Sequence, residues 1–498
     1  MTWFKTPANS STLWFRIGLL TIFLVSVVLR FWGLSRFNAL VFDEVYYAKF
    51  ANNYLTGTQF KHAHPPLSAY IIAIGMWIGS HLPFGQDTIN GLTGSLRTPW
   101  SYRWLNALTG SFIPLVVAAI AYQLNRRHSY ALIAALFAAA DGLFLVESRY
   151  ALNNVYLVIL GLLGQLFFLI ALSQPKYQRW QSLALSGVFF GACACIKWNG
   201  LWFLLGVYFV WGTAWIIQWR TKQVTLQKSK STTPGYTNKI QTSKRVSTPL
   251  INLTQLNGFH IIWYFYIIPA LTYSLLWIPH LIMNPKPKFP GFWESQKYIL
   301  EFHEKIGSGS DVHPYCSQWY TWLFMLRPVA YFYQTAQTIR EQVPAYPPLP
   351  AGSAKVIYDV HAMGNPILWW LSTAAILILF LLLVQRLVLA LMGEFASTTT
   401  NYITLYLVMN WLANLLPWVR VTRCIFLYHY MGSSVFAGLG LAWIMDRWLH
   451  REQHQWKNAA RIAIALVVVA FIFWLPIYLG LPLPAKSYRL WMWFRSWI

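Results

Sequence analysis

Apolar runs of about twenty residues recur along this whole chain, and each is long enough to cross the hydrocarbon of a bilayer as a helix. No other feature restricts the possible folds so strongly. A soluble core has no need of so many uninterrupted spans, so the chain reads as an all-α polytopic membrane protein. Composition agrees: 57% of the residues are hydrophobic, 18% are Phe, Trp or Tyr, and only 10% are charged.

Eleven spans are expected, near 14–33, 103–124, 128–147, 150–173, 181–197, 198–217, 261–283, 366–385, 401–418, 425–446 and 461–480. Counted this way, Arg126 and Arg127, Lys176 and Arg179, Arg386, and Arg447, Arg451 and Lys457 all fall in loops on one side. The same side receives the stretch 219–260, which has seven Lys or Arg and no acid. The positive-inside rule makes that side the cytoplasm, with the N-terminus inside and the C-terminus outside. Residues 67–82 are apolar too, but counting them as a span would invert every later loop; they are expected as a re-entrant or interfacial helix. The first span follows Lys5 and Arg16 and reads as one that stays in the membrane, without a cleavable signal.

This divides the chain into an N-terminal transmembrane module (1–217) with a first external loop (34–102), a flexible basic linker (218–260) that meets anionic lipid, and a C-terminal region (261–498) with a large external loop (284–365). The formal charge of +24 arises from such short loops, so nucleic acid is not expected as a partner. The cysteines, Cys193, Cys195, Cys316 and Cys424, show no metal or redox spacing, and no disulfide framework is expected. His62 and His64 lack further ligands, so neither a metal nor another cofactor is evident.

The stretch VFDEVYYAKFANNYLTGTQFKHAHPPLSAY, residues 41–70, places two carboxylates side by side in a chain poor in acids. Tyr47, Phe50, Ala51, Tyr54 and Leu55 repeat at helical spacing until Gly57, predicting a short amphipathic helix on the outer face. Asp43 is placed to cap that helix, and Glu44 to favour the positive end of its dipole. Capping alone would account for the pair.

Other charges argue for more. Arg30, Arg103, Arg149, Lys197, Arg420 and Arg423 all lie at or near outer span ends, against the orientation rule. Ionisable groups at membrane depth are costly and mark a site or a buried pair, Glu147 being one available partner. Six cations beside two carboxylates suit an anionic ligand at the outer leaflet, such as a lipid-linked phosphate sugar. Cations stabilise the charge that builds on a departing phosphate, and a carboxylate accepts the proton of an attacking alcohol.

These residues fall into a series that resembles the bacterial branch of the protein O-mannosyltransferases, polyprenyl-phosphate-sugar-dependent enzymes of the GT-C fold. The series comprises Arg30, Phe42-Asp43-Glu44, His64-Pro65-Pro66-Leu67, Arg103, Ser148-Arg149-Tyr150, Lys197-Trp198-Asn199-Gly200, HPYCSQWYTWLFMLRPVAYFY (313–333), Gly364-Asn365-Pro366 and LPWVRVTRCIFLYHY (416–430). It covers nearly the whole chain. Two departures stand out. Asn154 occupies a position where the family usually has aspartate, and the loop 284–365 is too short for the β-trefoil MIR domain of eukaryotic members.

The resemblance implies transfer of mannose from a polyprenyl phosphate to Ser or Thr hydroxyls of exported proteins on the outer face, with inversion. Asp43 would be the base and Glu44 an organiser of the site. Arg30, Arg103, Arg149, Lys197, Arg423 and His429 are the candidates for the donor and its phosphate, and His64, His313, Trp319 and Arg327 for the acceptor or its loop. Two alternatives remain: a GT-C transferase that acts on a lipid or glycan acceptor, and a transporter of lipid or sugar. Intramembrane charge also fits the transporter, but repeated halves and paired broken helices are missing from the sequence.

Overall fold

The computed structural model describes residues 10–231, 248–344, 349–350, 352–392 and 398–498. Sixteen α-helices are found among them, in the order α1 (Ser10–Phe31), α2 (Glu44–Thr56), α3 (Leu67–His81), α4 (Pro99–Asn125), α5 (His128–Ala139), α6 (Gly142–Arg149), α7 (Asn154–Ser173) and α8 (Arg179–Ile196). The second half continues with α9 (Leu201–Ser231), α10 (Gly258–Ile262), α11 (Ile268–Met283), α12 (Phe292–Glu304), α13 (Pro366–Leu391), α14 (Thr399–Leu415), α15 (Met431–Leu449) and α16 (His454–Leu479). A π-helical turn, Trp263–Ile267, joins α10 to α11.

Among the described residues, eight helical segments are long and apolar enough to cross a membrane, and nine if α5 and α6 count as one span bent by 57°. Their lipid-facing surfaces expose large apolar side chains, as on α1, where Leu20, Leu24 and Val28 face outward. Helices α8 and α15 fall in the two remaining expected spans but are not among those nine. Both are rich in Gly, Ala and Ser and pack inside the bundle, where small residues let neighbouring backbones approach. The expected span 425–446 also begins late: Leu427–Tyr430 is a 3-10 turn, and α15 starts at Met431.

Caps written in the sequence set several helix starts. Thr98 Oγ1 accepts from Ser101 N at 3.1 Å with Pro99 following, and Asn365 Oδ1 accepts from Leu368 N at 3.3 Å with Pro366 following. Helix α2 lies where expected, with Tyr47, Ala48 and Ala51 buried and Tyr46 and Lys49 exposed. It packs on α3, the helix expected to lie at the interface, and α3 packs in turn on α4.

Two expectations need correction. The linker 218–260 is not one flexible segment. Helix α9 continues to Ser231, and Pro249–Gln255 forms a 3-10 helix that buries Leu250 and Leu253, because apolar residues near 250 can dock on the bundle. The central part, 232–247, lies outside the described residues. The absence of a disulfide framework is also overturned, since Cys316 and Cys424 are bonded across 108 residues. Their separation in sequence concealed a proximity that only the folded outer loop creates. Cys193 and Cys195 stay reduced and buried.

The helical fold class holds with one addition. Three strands, β1 (Val329–Ala336), β2 (Val356–Ala362) and β3 (Pro482–Pro484), form an antiparallel sheet in the order β1-β2-β3. The sheet joins the large outer loop to the chain after α16. Its edge strand β1 sits directly against the first external loop, where Phe37 and Phe332 meet at 4.1 Å between ring centroids.

Candidate active site

Asp43 and Glu44 are neighbours in sequence with opposite environments. Glu44 is fully buried and every lone pair is in use. Its Oε2 accepts from Val41 N and from Arg103 Nη2, both at 2.7 Å, and its Oε1 accepts from Arg103 Nε and Ala151 N, both at 2.8 Å. Asp43 stands at the N-cap position of α2, yet its side chain makes no capping hydrogen bond. Among the described residues its carboxylate has no hydrogen-bond partner.

The chain reaches this arrangement through a strained residue. Phe42 has φ +51°, unusual for a bulky side chain and worth about 1–3 kcal/mol of strain. Its ring is fixed by stacking on Tyr331 of β1 at 4.1 Å and by edge contacts with His313 and Tyr428. The turn directs Asp43 away from the helix end. Partial burial pushes the Asp43 pKa up to about 6, although the nearby charge of Lys197 pulls the other way. Asp43 is therefore a proton acceptor of useful strength near neutral pH.

The outward basic residues separate into two groups. Arg103 is wholly engaged: besides Glu44, it donates to the carbonyls of Leu34, Phe37 and Ala39 at 3.0, 3.1 and 2.7 Å. A guanidinium has five N–H donors, and here all are committed. Arg149 caps the end of α1, giving Nη1 to the carbonyls of Leu29, Arg30 and Trp32 at 2.7, 3.1 and 2.8 Å. Arg30 is fully buried and donates to Ser26 Oγ at 2.5 Å, facing Arg149 and Asp141. Arg103 and Arg149 brace the first external loop and the end of α1, while Arg30 keeps Nε and Nη2 without partners among the described residues. None of the three, expected at the donor phosphate, lines the cavity that Lys197 and Arg423 share. Arg420 is exposed at the end of a 3-10 turn.

Lys197 and Arg423 form the second group. Lys197 occupies an extended break between α8 and α9, where the turn Trp198–Gly200 is so tight that a Cβ on Gly200 would lie 2.5 Å from the Cys193 carbonyl. Its ammonium lies 5.5 Å from the centre of the Tyr428 ring and has no ion-pair partner among the described residues. Among the described residues, Arg423 donates only to the carbonyl of its neighbour Cys424, at 3.0 Å. Both line a cavity of about 160 Å³ together with His64 and His303. His303 Nε2 and His64 Nδ1 are 3.3 Å apart. Burial, reinforced by Lys197 and Arg423, keeps both rings neutral, with His303 lowered to about 4. The cavity thus carries two positive charges, two neutral imidazoles and no carboxylate in its lining.

Trp198, Asn199 and Trp202 line this cavity and also a much larger apolar groove of about 790 Å³. The groove runs between α8, α9, α11 and α12 and is walled by Tyr266, Tyr273 and Trp293. A small charged chamber opening on a long greasy groove suits a molecule with an anionic head and a hydrocarbon tail.

Other expected residues divide similarly. His313 meets Phe42 and Phe426 edge-on, beside Asp43. His429 is buried, its Nδ1 held by the Phe426 backbone at about 3.0 Å and its ring stacked against Trp322, so it supports the aromatic wall behind Lys197. Arg327 is tied to the carbonyls of Pro314 and Ser496, at 2.7 and 2.8 Å, and Trp319 begins a 3-10 turn on the outer loop. Neither lines the cavity. His62 Nδ1 accepts from His64 N at 3.1 Å, and among the described residues no three His, Cys, Asp or Glu converge as metal ligands.

Sequence reasoning missed His303, which lies on α12, although the amphipathic pattern of residues 292–304 is present in the sequence. It also treated Glu147 only as a charge partner. Glu147 is buried near Asp43 and Lys197, accepting from the Tyr331 hydroxyl and from Asn154 Nδ2 at 3.1 Å. Asn154, the departure from the family pattern, thus donates to a carboxylate seven residues earlier.

A membrane-embedded helical bundle with a carboxylate and a cationic chamber at one end has the architecture of a GT-C glycosyltransferase. The fold matches the S. cerevisiae protein O-mannosyltransferase Pmt1-Pmt2 complex bound to the sugar donor, with a TM-score of 0.74 over 99% of this chain and 93% of that one, at 14% identity. It also resembles ArnT from Cupriavidus metallidurans bound to undecaprenyl phosphate, with a TM-score of 0.52 over 95% and 66% of the two chains, at 14% identity.

The profile of the family described as dolichyl-phosphate-mannose-protein mannosyltransferase matches residues 20–284, and that of the C-terminal four TMM region of protein-O-mannosyltransferase matches 288–497. The chain belongs to this family and is a membrane mannosyltransferase. A relative from Corynebacterium glutamicum, polyprenol-phosphate-mannose–protein mannosyltransferase, is 24% identical over 99% of this chain and 96% of its own length.

Proposed function

We propose that the enzyme transfers mannose from a polyprenyl phosphate to Ser or Thr hydroxyls of exported proteins, at the outer face of the membrane and with inversion. The carrying observation is the juxtaposition of Asp43 with a chamber of two unpaired cations that opens on an apolar groove. The phosphate occupies the chamber between Lys197 and Arg423, the hydrogen-bonded pair of neutral rings His64 and His303 donates its one free N–H, and the prenyl chain follows the groove past Trp198 and Trp202. Asp43 accepts the hydroxyl proton as the acceptor oxygen attacks the sugar carbon from the face opposite the phosphate. The carbon–oxygen bond to phosphate breaks, and the departing phosphate keeps the electron pair, stabilised by Lys197 and Arg423. Glu44 and Arg103 do not touch the substrates; they hold the loop that aims Asp43.

Two features support placing the site outside. Basic loops gather at the opposite end of the spans. The Cys316–Cys424 disulfide lies on the same side as the site, and such bonds persist in oxidising surroundings and are rare in the cytosol. Incubating purified enzyme with labelled polyprenyl-phosphate-mannose and a Ser/Thr peptide tests the reading by mass spectrometry, with anomeric configuration read by NMR. The expected product is a peptide carrying one α-linked hexose if the donor is β-linked. Transfer to lipid alone, or a product that retains the donor configuration, overturns it.

A further inference from the structure

We propose that the Cys316–Cys424 disulfide is a positioning element for donor binding: it fixes the segment that presents Arg423 to the cavity. The inference rests on the phosphate site proposed for that cavity.

Arg423 lies in a stretch without helix or strand, between the 3-10 turns Leu416–Arg420 and Leu427–Tyr430. Its guanidinium makes no hydrogen bond across the cavity; its contact is the Cys424 carbonyl one residue away. The backbone alone therefore decides where the charge stands. That backbone is anchored to the large outer loop at three points: Cys424 N donates to the Gly307 carbonyl and Ser317 N to the Ile425 carbonyl, each at 2.8 Å, and the disulfide lies between them. Ser317 is itself fixed, accepting from Nε1 of the fully buried Trp322 at 2.8 Å.

The opposite wall of the cavity comes from the same loop. Ile299, Leu300 and His303 belong to α12, which ends at Glu304, three residues before Gly307. The bond thus ties the two walls together at their common base. Opening it leaves the hydrogen bonds of Cys424 and Ile425 and the burial of those two side chains to hold the segment that carries Arg423. A loosely held cation binds a phosphate less well because ordering it then costs entropy at the moment of binding.

The test compares four proteins: wild type, the Cys316→Ser/Cys424→Ser double variant, Arg423→Ala and the triple variant. Initial rates are measured against labelled polyprenyl-phosphate-mannose at saturating peptide. The double variant is expected to raise the donor KM by about tenfold while changing kcat much less. Arg423→Ala raises it at least as far, and the triple variant is no worse than Arg423→Ala, because both changes remove one interaction.

Additive effects in the triple variant, or an unchanged donor KM in the double variant, overturn the inference. An unchanged donor KM in Arg423→Ala instead overturns the phosphate site itself. If the double variant does not accumulate, the same measurement is made on oxidised enzyme opened with dithiothreitol, which closes to its cyclic disulfide as the protein gains two thiols. A donor KM that stays constant during that reduction is equally decisive against the proposal.

Discussion

Arg103 and Lys197 are both buried cations near the same carboxylate pair, and they differ in what surrounds them. Arg103 has a bidentate carboxylate and three carbonyls for its five donors. Lys197 has an aromatic ring and, among the described residues, no ion pair, with Asp43, Glu147 and Arg423 acting on it only through space. A buried cation with every donor satisfied is part of the scaffold, and its removal leaves an uncompensated buried partner. A buried cation without partners is costly in isolation and persists where a ligand completes it. The same division separates Glu44 from Asp43.

The largest effect expected from this contrast is at Asp43. Asp43→Asn keeps size and capping ability while removing proton acceptance, so transfer should fall about 10²- to 10⁴-fold with no loss of thermal stability. Near wild-type turnover would return Asp43 to a structural role. Arg103→Ala tests the scaffold side. It strands buried Glu44 and should cost about 3–5 kcal/mol, read as poor yield and a lowered melting temperature in detergent. A well-folded Arg103→Ala enzyme with a raised donor KM would erase the distinction between the two groups.

Lys197→Ala should give the mirror image. Donor KM rises or kcat falls by about tenfold or more, as expected for losing one charge-assisted contact, while the melting temperature is unchanged. The smallest effect concerns protons. Activity should climb as pH passes through about 6 and Asp43 ionises, levelling above it. Because the folded pKa is raised, Asp43 favours the native state only at low pH, and that contribution is lost as pH rises through about 6. Asp43→Asn should therefore be at least as stable as wild type at neutral pH, which calorimetry across the pH range can check. A melting temperature of Asp43→Asn clearly below wild type at neutral pH would contradict the raised pKa.

Much of the fold was legible because its driving pattern is local. Spans, the amphipathic α2 and the caps at Thr98 and Asn365 depend on residues a few positions apart. The candidate site was legible in part. Asp43, Lys197, Arg423 and His64 were named from sequence; the last three line one cavity, and Asp43 is near enough to Lys197 to feel its charge. His303 and Glu147 were not read as site residues, because α12 and the β1 contact bring them in from distant segments. The disulfide was hidden for the same reason, joining residues on two different outer loops.

The sequence by itself determined that this chain lives in a membrane, which end of its helices gathers unusual charge, and that its motifs follow the mannosyltransferase series. Periodicity and hydropathy carry that information, and each is summed over neighbours along the chain. Only the tertiary structure decided which charges are committed and which are free. A guanidinium finds its partners across helices and loops, as Arg103 does on residues 34–44, and no spacing in the sequence counts those hydrogen bonds.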